Sequence, residues 1–245
     1  MPMRVLVVGA GAMGRWFADS VATADDEIAF VDADETAATA AADALGGRAL
    51  TPPVEERFDL VCVAVPLPAA ASVIEEYADR ADRAICDVTG SMRDPIDAMR
   101  AHAPEIERVS LHPLFAPENA PGNLAVVTDA DGPIAETIRD RLTARGNELV
   151  ATTPAEHDEA METVQARAHT AVLAFALAAE DVPDTFQTPI SEALFDLVEQ
   201  LTDGEARVYA DIQAAFEGAD DVAAAARQIA RADDETFTEL YESLQ

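Results

Sequence analysis

The chain has only four histidines, and one of them, His112, stands in the stretch SLHPLFAP between an apolar run and two prolines that flank an aromatic residue. An imidazole of ordinary pKa, about 6.5, is mostly neutral near pH 7, so it can accept a hydrogen bond from a substrate hydroxyl and take its proton. Ser91 offers a hydroxyl in DVTGSMRDP, again at the end of an apolar run. A third constellation precedes both. In VLVVGAGAMGRWFAD, Gly9, Gly11 and Gly14 have the G-x-G-x-x-G spacing, with Ala12 and Met13 completing the loop. The first glycine permits a tight turn, the second lets backbone approach a diphosphate, and the third lets helix and strand pack closely. A diphosphate would then sit at a helix N-terminus, where unpaired N–H groups and the helix dipole favour an anion. Asp32 closes the next strand, where a carboxylate can accept from a ribose 2′-hydroxyl and would repel a 2′-phosphate. NAD is therefore the expected cofactor and NADP the less favoured one. Asp34 is a weaker candidate for the same task, and the same turn would also suit a Rossmann-like domain holding another nucleotide.

These groups need a scaffold. The runs RVLVVG, EIAFVD, DLVCVAVP, RAICDV, RVSLHP, LAVVTD and NELVAT read as strands, separated by alanine-rich helical segments such as 35–45 and 132–145. Continuous apolar strands alternating with helices predict a parallel sheet covered on both faces, the Rossmann-type doubly wound α/β fold. In such folds ligands bind beyond the carboxyl ends of the strands, which brings Ser91 and His112 to one crevice. From Thr153 the pattern becomes helical. Thr153, Pro154 and Glu156 form a strong helix-start signal, and a long helix is expected to about Ala179. Thr188 and Pro189 repeat the signal, followed by EARVYADIQAAFEG and DVAAAARQIARADDETFTELYESL. The expected organisation is a dinucleotide-binding unit over residues 1–152 and an all-α unit over 153–245.

Composition narrows the partners. There are 47 acidic residues against 16 basic ones, for a formal net charge of -31, and all the basic residues are arginine. Nucleic acid and anionic membranes would repel such a chain. The carboxylates are spread along the sequence, so self-repulsion is relieved chiefly by salt, with a Debye length of roughly 3 Å at 1 M. A protein adapted to molar salt is expected. No apolar stretch suits a membrane span, and Met1–Val8 reads as a strand and not a signal peptide, so a cytoplasmic location is expected. Cys62 and Cys86 lie in apolar runs and fit reduced core thiols; no metal site is expected.

Taken together, the glycine loop, GSMR, HPLFAP, EHDEAMETVQARAH, and FQTPISEA through YADIQAAF resemble the prephenate dehydrogenase family of tyrosine biosynthesis over nearly the whole chain. The resemblance implies a helical domain that forms a homodimer and oxidation of prephenate to 4-hydroxyphenylpyruvate with loss of carbon dioxide and hydride transfer to NAD. It implies that His112 accepts from the ring hydroxyl, that Ser91 holds that hydroxyl or the imidazole, and that Val65 and Pro66 in AVPLPA contact the cofactor. It also places His157, Gln165 and His169 near the substrate; Gln165 and His169 share one helix face.

One position departs from the pattern. Bacterial relatives commonly carry an arginine just before the position of His169, against a substrate carboxylate, and this chain has Ala168. At about 100° per residue Arg167 points to the other side of the helix from Gln165. A dicarboxylate substrate calls for a guanidinium, which leaves Arg93 and Arg207, the latter from a partner subunit. The gap makes arogenate an alternative substrate. A reductase of the β-hydroxyacid or imine type shares the two-part plan, but usually needs a lysine or aspartate in the cleft, and the chain has no lysine. A protein that only senses the nicotinamide redox state would need neither His112 nor Ser91. The chain is expected to be monofunctional, with no fused mutase or regulatory domain.

Overall fold

The computed structural model describes residues 2–245. Contacts divide the chain into two compact units, one ending at Asp158 and one comprising Glu159–Gln245. The first is built on eight strands, β1 (Arg4–Val8), β2 (Glu27–Val31), β3 (Arg48–Leu50), β4 (Phe58–Val63), β5 (Ala81–Asp87), β6 (Glu107–Pro113), β7 (Asn123–Ala130) and β8 (Glu148–Ala151). Their order in the sheet is β3-β2-β1-β4-β5-β6-β7-β8. The short strand β3, with sequence RAL, lacks the apolar run that would have revealed it.

Five helices accompany the sheet: α1 (Ala12–Val21), α2 (Glu35–Leu45), α3 (Ala70–Tyr77), α4 (Arg93–His102) and α5 (Pro133–Ala144). Alternate residues of β1 show why the strands are apolar throughout. Val5 and Val7 enter one core with Trp16, Phe17 and Ile138 of α1 and α5. Leu6 and Val8 enter a second core with Ile74 and Met99 of α3 and α4. Both faces are thus buried, as a crossover-built sheet requires. Cys62 and Cys86 are register partners on β4 and β5, fully buried and free.

The sheet is not parallel throughout. β7 runs antiparallel to β6, and β8 parallel to β7. The loop 114–122 between β6 and β7 has room only for a single short 3-10 turn, and a parallel return needs a crossover of roughly a dozen residues or more. The chain therefore doubles back directly after His112.

The expected junction after residue 152 marks a change of secondary structure, whereas the compact units part after Asp158. Helix α6 (Pro154–Met161) begins where the sequence predicts, with Thr153 and Glu156 exchanging side-chain and backbone hydrogen bonds. Its first turns carry His157 and Asp158, whose side chains bond to the sheet unit.

The predicted long helix is interrupted. Residues Glu162–Arg167 form a π-helix before α7 (Ala168–Ala178). A π-turn displaces backbone carbonyls from the α-helical ladder; here Gln213 Nε2 donates to the carbonyl of Ala166 at 3.1 Å. Gln213 belongs to α9 (Ala206–Ala215), which follows α8 (Pro189–Thr202) and precedes α10 (Ala219–Arg231) and α11 (Asp234–Glu242). Among the described residues, α7, α8, α10 and α11 contribute none that is buried. Leu177 on α7 is 90% exposed and Ile190 on α8 77%.

Candidate active site

The glycine loop links β1 to α1. Gly9 has φ +101°, and a Cβ there would overlap the carbonyl oxygen of Ala64 at the end of β4 and approach Val65 Cγ1 within 3.2 Å. A Cβ on Gly14 would overlap the carbonyl of Gly9, whereas one on Gly11 would meet nothing within 4 Å. Two glycines thus shape the loop, and the third leaves open space before the first turn of α1. That turn has no side-chain cap and no acidic residue. Its N–H groups are available to an anion, which fits a dinucleotide diphosphate.

Ala12 is exposed at the helix start, Met13 is partly packed into the core, and Pro66 is exposed beside Val65. Asp32 anchors the loop: its Oδ2 accepts from the N–H of Ala10 at 2.7 Å and its Oδ1 from that of Asp34 at 2.9 Å. Each carboxylate oxygen retains a second acceptor site for a ribose hydroxyl. Asp34 is the N-cap of α2, accepting from Thr36 N–H, so its role is structural.

His112 is the penultimate residue of β6 and is 6% exposed. Burial above all, and then the neighbouring His157, push its pKa down to about 3, so the ring is neutral at physiological pH. Its Nε2 faces the β5–α4 loop, where a Cβ on Gly90 would lie 3.6 Å away. Its Nδ1 lies 2.8 Å from His157 Nε2, and His157 Nδ1 lies 2.8 Å from Asp158 Oδ1. The Met92 N–H donates to Asp158 Oδ1 at 3.0 Å and the Arg93 N–H to Oδ2 at 3.2 Å. A line of three side chains therefore runs from His112 to the N-terminus of α4.

The loop that faces His112 is itself clamped. Asp87, fully buried at the end of β5, accepts from Thr89 N–H at 3.0 Å and from Thr89 Oγ1 at 2.5 Å. Burial pushes the Asp87 carboxyl up to about 6, against the hydrogen bonds from Thr89 and the nearby His157. On the other side, Phe115 of HPLFAP meets Trp16 of α1 edge to face, with centroids 5.5 Å apart. The apolar part of that motif thus seats the His112 loop against the glycine helix.

Several expected residues fall elsewhere. His157, expected near the substrate, is 3% exposed, with its ring nitrogens 2.8 Å from His112 Nδ1 and 2.8 Å from Asp158 Oδ1. Ser91 is half-buried in the loop after β5, and its carbonyl accepts from Thr89 Oγ1 at 3.1 Å. Arg93 is exposed at the start of α4. Arg207 is exposed on α9 with Asp211 3.8 Å away. Arg167 is engaged by Asp221 and Glu162. In the helical unit Gln165 and His169 are half-buried. His169 meets Tyr209 edge to face at 5.1 Å, and burial lowers its pKa.

No motif in the sequence points to Asp158, Asp87 or Gly90. Asp158 follows His157 directly in EHDEA, and that adjacency was the available signal. Among the described residues, no group of three or more His, Cys, Asp or Glu is placed to hold a metal ion, and no helix is long and apolar enough to cross a membrane.

Comparison with known proteins agrees with this architecture. A sequence model described as the nucleotide-binding domain of prephenate dehydrogenase matches residues 22–128, a span holding Asp32, Ser91 and His112. A 4-amino-4-deoxyprephenate dehydrogenase of Streptomyces pristinaespiralis is 30% identical over 270 residues, covering 98% of this chain and 89% of that one. Among solved structures, the fold is similar to prephenate dehydrogenase of Aquifex aeolicus in complex with hydroxyphenyl propionate and NAD+, with TM-score 0.69, 16% identity and coverage of 100% of this chain and 96% of that one. It is also similar to Synechocystis arogenate dehydrogenase, with TM-score 0.65, 16% identity and coverage of 99% and 96%. A glycine cradle at β1, a neutral buried histidine at the end of β6 and a full-length relative together establish that this chain is a dehydrogenase and belongs to the prephenate dehydrogenase family.

Proposed function

We propose that the enzyme oxidises prephenate to 4-hydroxyphenylpyruvate with loss of carbon dioxide, using NAD. The observation that carries this reading is the buried, neutral His112, whose Nε2 faces the loop after β5 at the carboxyl end of the sheet. NAD, when bound, supplies the acceptor for the hydride that leaves the ring carbon bearing the hydroxyl. As positive charge grows on that carbon, His112 Nε2 accepts the hydroxyl's hydrogen bond and then its proton. The bond to the ring carboxylate breaks, carbon dioxide departs, the electron pair left behind completes the aromatic ring, and the phenolate oxygen takes its proton back from His112. Ser91 positions the hydroxyl or the imidazole. Gly9, Gly11, Ala12, Met13 and Gly14 hold the diphosphate, Asp32 the ribose, and Val65 with Pro66 flank the cofactor. Gln165, His169 and an arginine, Arg93 or a partner's Arg207, serve the dicarboxylate.

A second reading concerns the ring substituent. A relative that is 30% identical over nearly the whole chain is a 4-amino-4-deoxyprephenate dehydrogenase, and the lone pair of a neutral His112 can accept from a ring nitrogen as well as from a ring hydroxyl. Arogenate, with its amine on the side chain, is the other alternative. NADH formation in molar salt, measured with prephenate, 4-amino-4-deoxyprephenate and arogenate and with NAD and NADP, separates the three. The expected result is turnover of prephenate with NAD; turnover of only an amine substrate would replace this reading. His112→Asn is expected to cut turnover by about 10² to 10⁴ with nucleotide affinity intact, and unchanged turnover would refute the role of His112.

The exposed apolar α7 and α8 support a homodimer formed through the helical unit. The net charge of -31 supports a salt-adapted protein with no nucleic acid or anionic membrane among its partners.

A further inference from the structure

Asp158 is held at a helix N-terminus. The N–H groups of Met92 and Arg93 donate to its two oxygens at 3.0 and 3.2 Å, where α4 has no side-chain cap from Met92. Burial acts to raise its pKa, but the hydrogen bonds from His157, Met92 and Arg93 prevail and hold it below the ordinary carboxylate range. The carboxylate is thus ionised and can only accept.

The consequence passes along the line. His157 Nδ1, 2.8 Å from Asp158 Oδ1, must carry a hydrogen. In the neutral ring, Nε2 of His157 then has a lone pair, so His112 Nδ1, 2.8 Å away, must be the donor. A neutral His112 with hydrogen on Nδ1 has its lone pair on Nε2, the nitrogen facing Gly90. We propose that Asp158 is a positioning residue that fixes His112, through His157, in the tautomer able to accept a proton at Nε2. The proposal rests on the reading of His112 as the proton acceptor. The groups facing His157 are His112, Asp158 and the buried Asp87. A proton added to His157 would let its Nε2 donate to His112 and would turn His112 Nε2 into a donor, so the competent state requires His157 neutral.

The alternative is that Asp158 merely caps α4. Imidazole ¹H–¹⁵N correlation spectra of the full chain, recorded in molar salt at mildly alkaline pH, distinguish the two. In the unaltered protein both His112 and His157 are expected to carry hydrogen on Nδ1 and none on Nε2; hydrogen on Nε2 of His112 would overturn the proposal without any variant. Asp158→Asn and Asp158→Ala are expected to lose the single tautomer at both rings and to lower turnover about a hundredfold or more, with KM for the cofactor unchanged. Lower thermal stability with the His112 tautomer and turnover both unchanged would mean a cap only. Full activity of His112→Asn would defeat the reading beneath the proposal, whereas the spectra judge Asp158 by themselves.

Discussion

A Cβ on Gly14 would overlap the carbonyl oxygen of Gly9, while one on Gly11, between them, would meet no atom within 4 Å. The three glycines of one motif therefore have separable jobs. Gly14→Ala forces α1 away from β1 and is expected to cost about 1–3 kcal/mol or more. Gly11→Val is expected to stay within about 1 kcal/mol of the original stability yet to weaken dinucleotide binding at least tenfold. Urea unfolding and cofactor titration in the same salt measure the two effects; equal stability losses would contradict the division.

Asp32 joins the loop to the expected ribose position, since it already holds Ala10 and Asp34. Asp32→Ser is expected to weaken NAD roughly tenfold to a hundredfold, the worth of a hydrogen bond to a charged group of about 1.5–3 kcal/mol. NADP should lose less, because the repulsion of its phosphate goes too. A preference for NAD over NADP unchanged by the substitution would exclude Asp32 from the ribose site.

Asp87 and His112 shape the pH dependence of stability with opposite signs. Burial raises Asp87 from 3.8 to about 6, so between those values the folded chain binds more protons and stability falls as pH rises. At pH 7 the cost is on the order of 3 kcal/mol, at about 1.36 kcal/mol per unit. His112 is lowered from 6.5 to about 3, so over that range the unfolded chain binds the proton and stability falls as pH drops. Asp87→Asn removes only the first effect. The variant is expected to be more stable than the original by about 1–3 kcal/mol at pH 7 and to lose that advantage near pH 4, by urea midpoints at constant salt. An advantage that does not change with pH would show that Asp87 carries no raised pKa.

The helical unit should not stand alone. Leu177→Asp, at a position 90% exposed in the single chain, is expected to convert a dimer to a monomer by light scattering in molar salt, while leaving NAD binding, which the sheet unit provides, within about twofold, as for sites with no shared partners. A monomer already in the unaltered protein would rule out the dimer.

Charge predicts the last behaviour. With a net charge of -31, lowering the salt from molar to about 0.1 M lengthens the Debye length from roughly 3 to 10 Å, and circular dichroism is expected to show loss of structure. Unaltered spectra on desalting would mean that the acidic surface is not a salt adaptation.

Legibility followed the range of the forces. The glycine loop, the apolar strands and the capped helix starts at Thr153 and Thr188 are local, and they could be read because a turn, a pleat or a cap is satisfied by residues a few places away. The strand β3 escaped because three residues at a sheet edge, RAL, carry no period. The π-turn at Glu162–Arg167 escaped because its displaced carbonyl is satisfied by Gln213 on another helix.

Residue type and near spacing alone were enough to read the α/β plan, the glycine turn after β1 and the acidic composition. Folding in three dimensions sets the antiparallel return of β7, the place of His157 beside His112, and the tie from Asp158 to α4. Those facts depend on hydrogen bonds between residues far apart in the chain, and a hydrogen bond reaches only about 3 Å, so its partner is chosen by the fold and not by spacing along the chain.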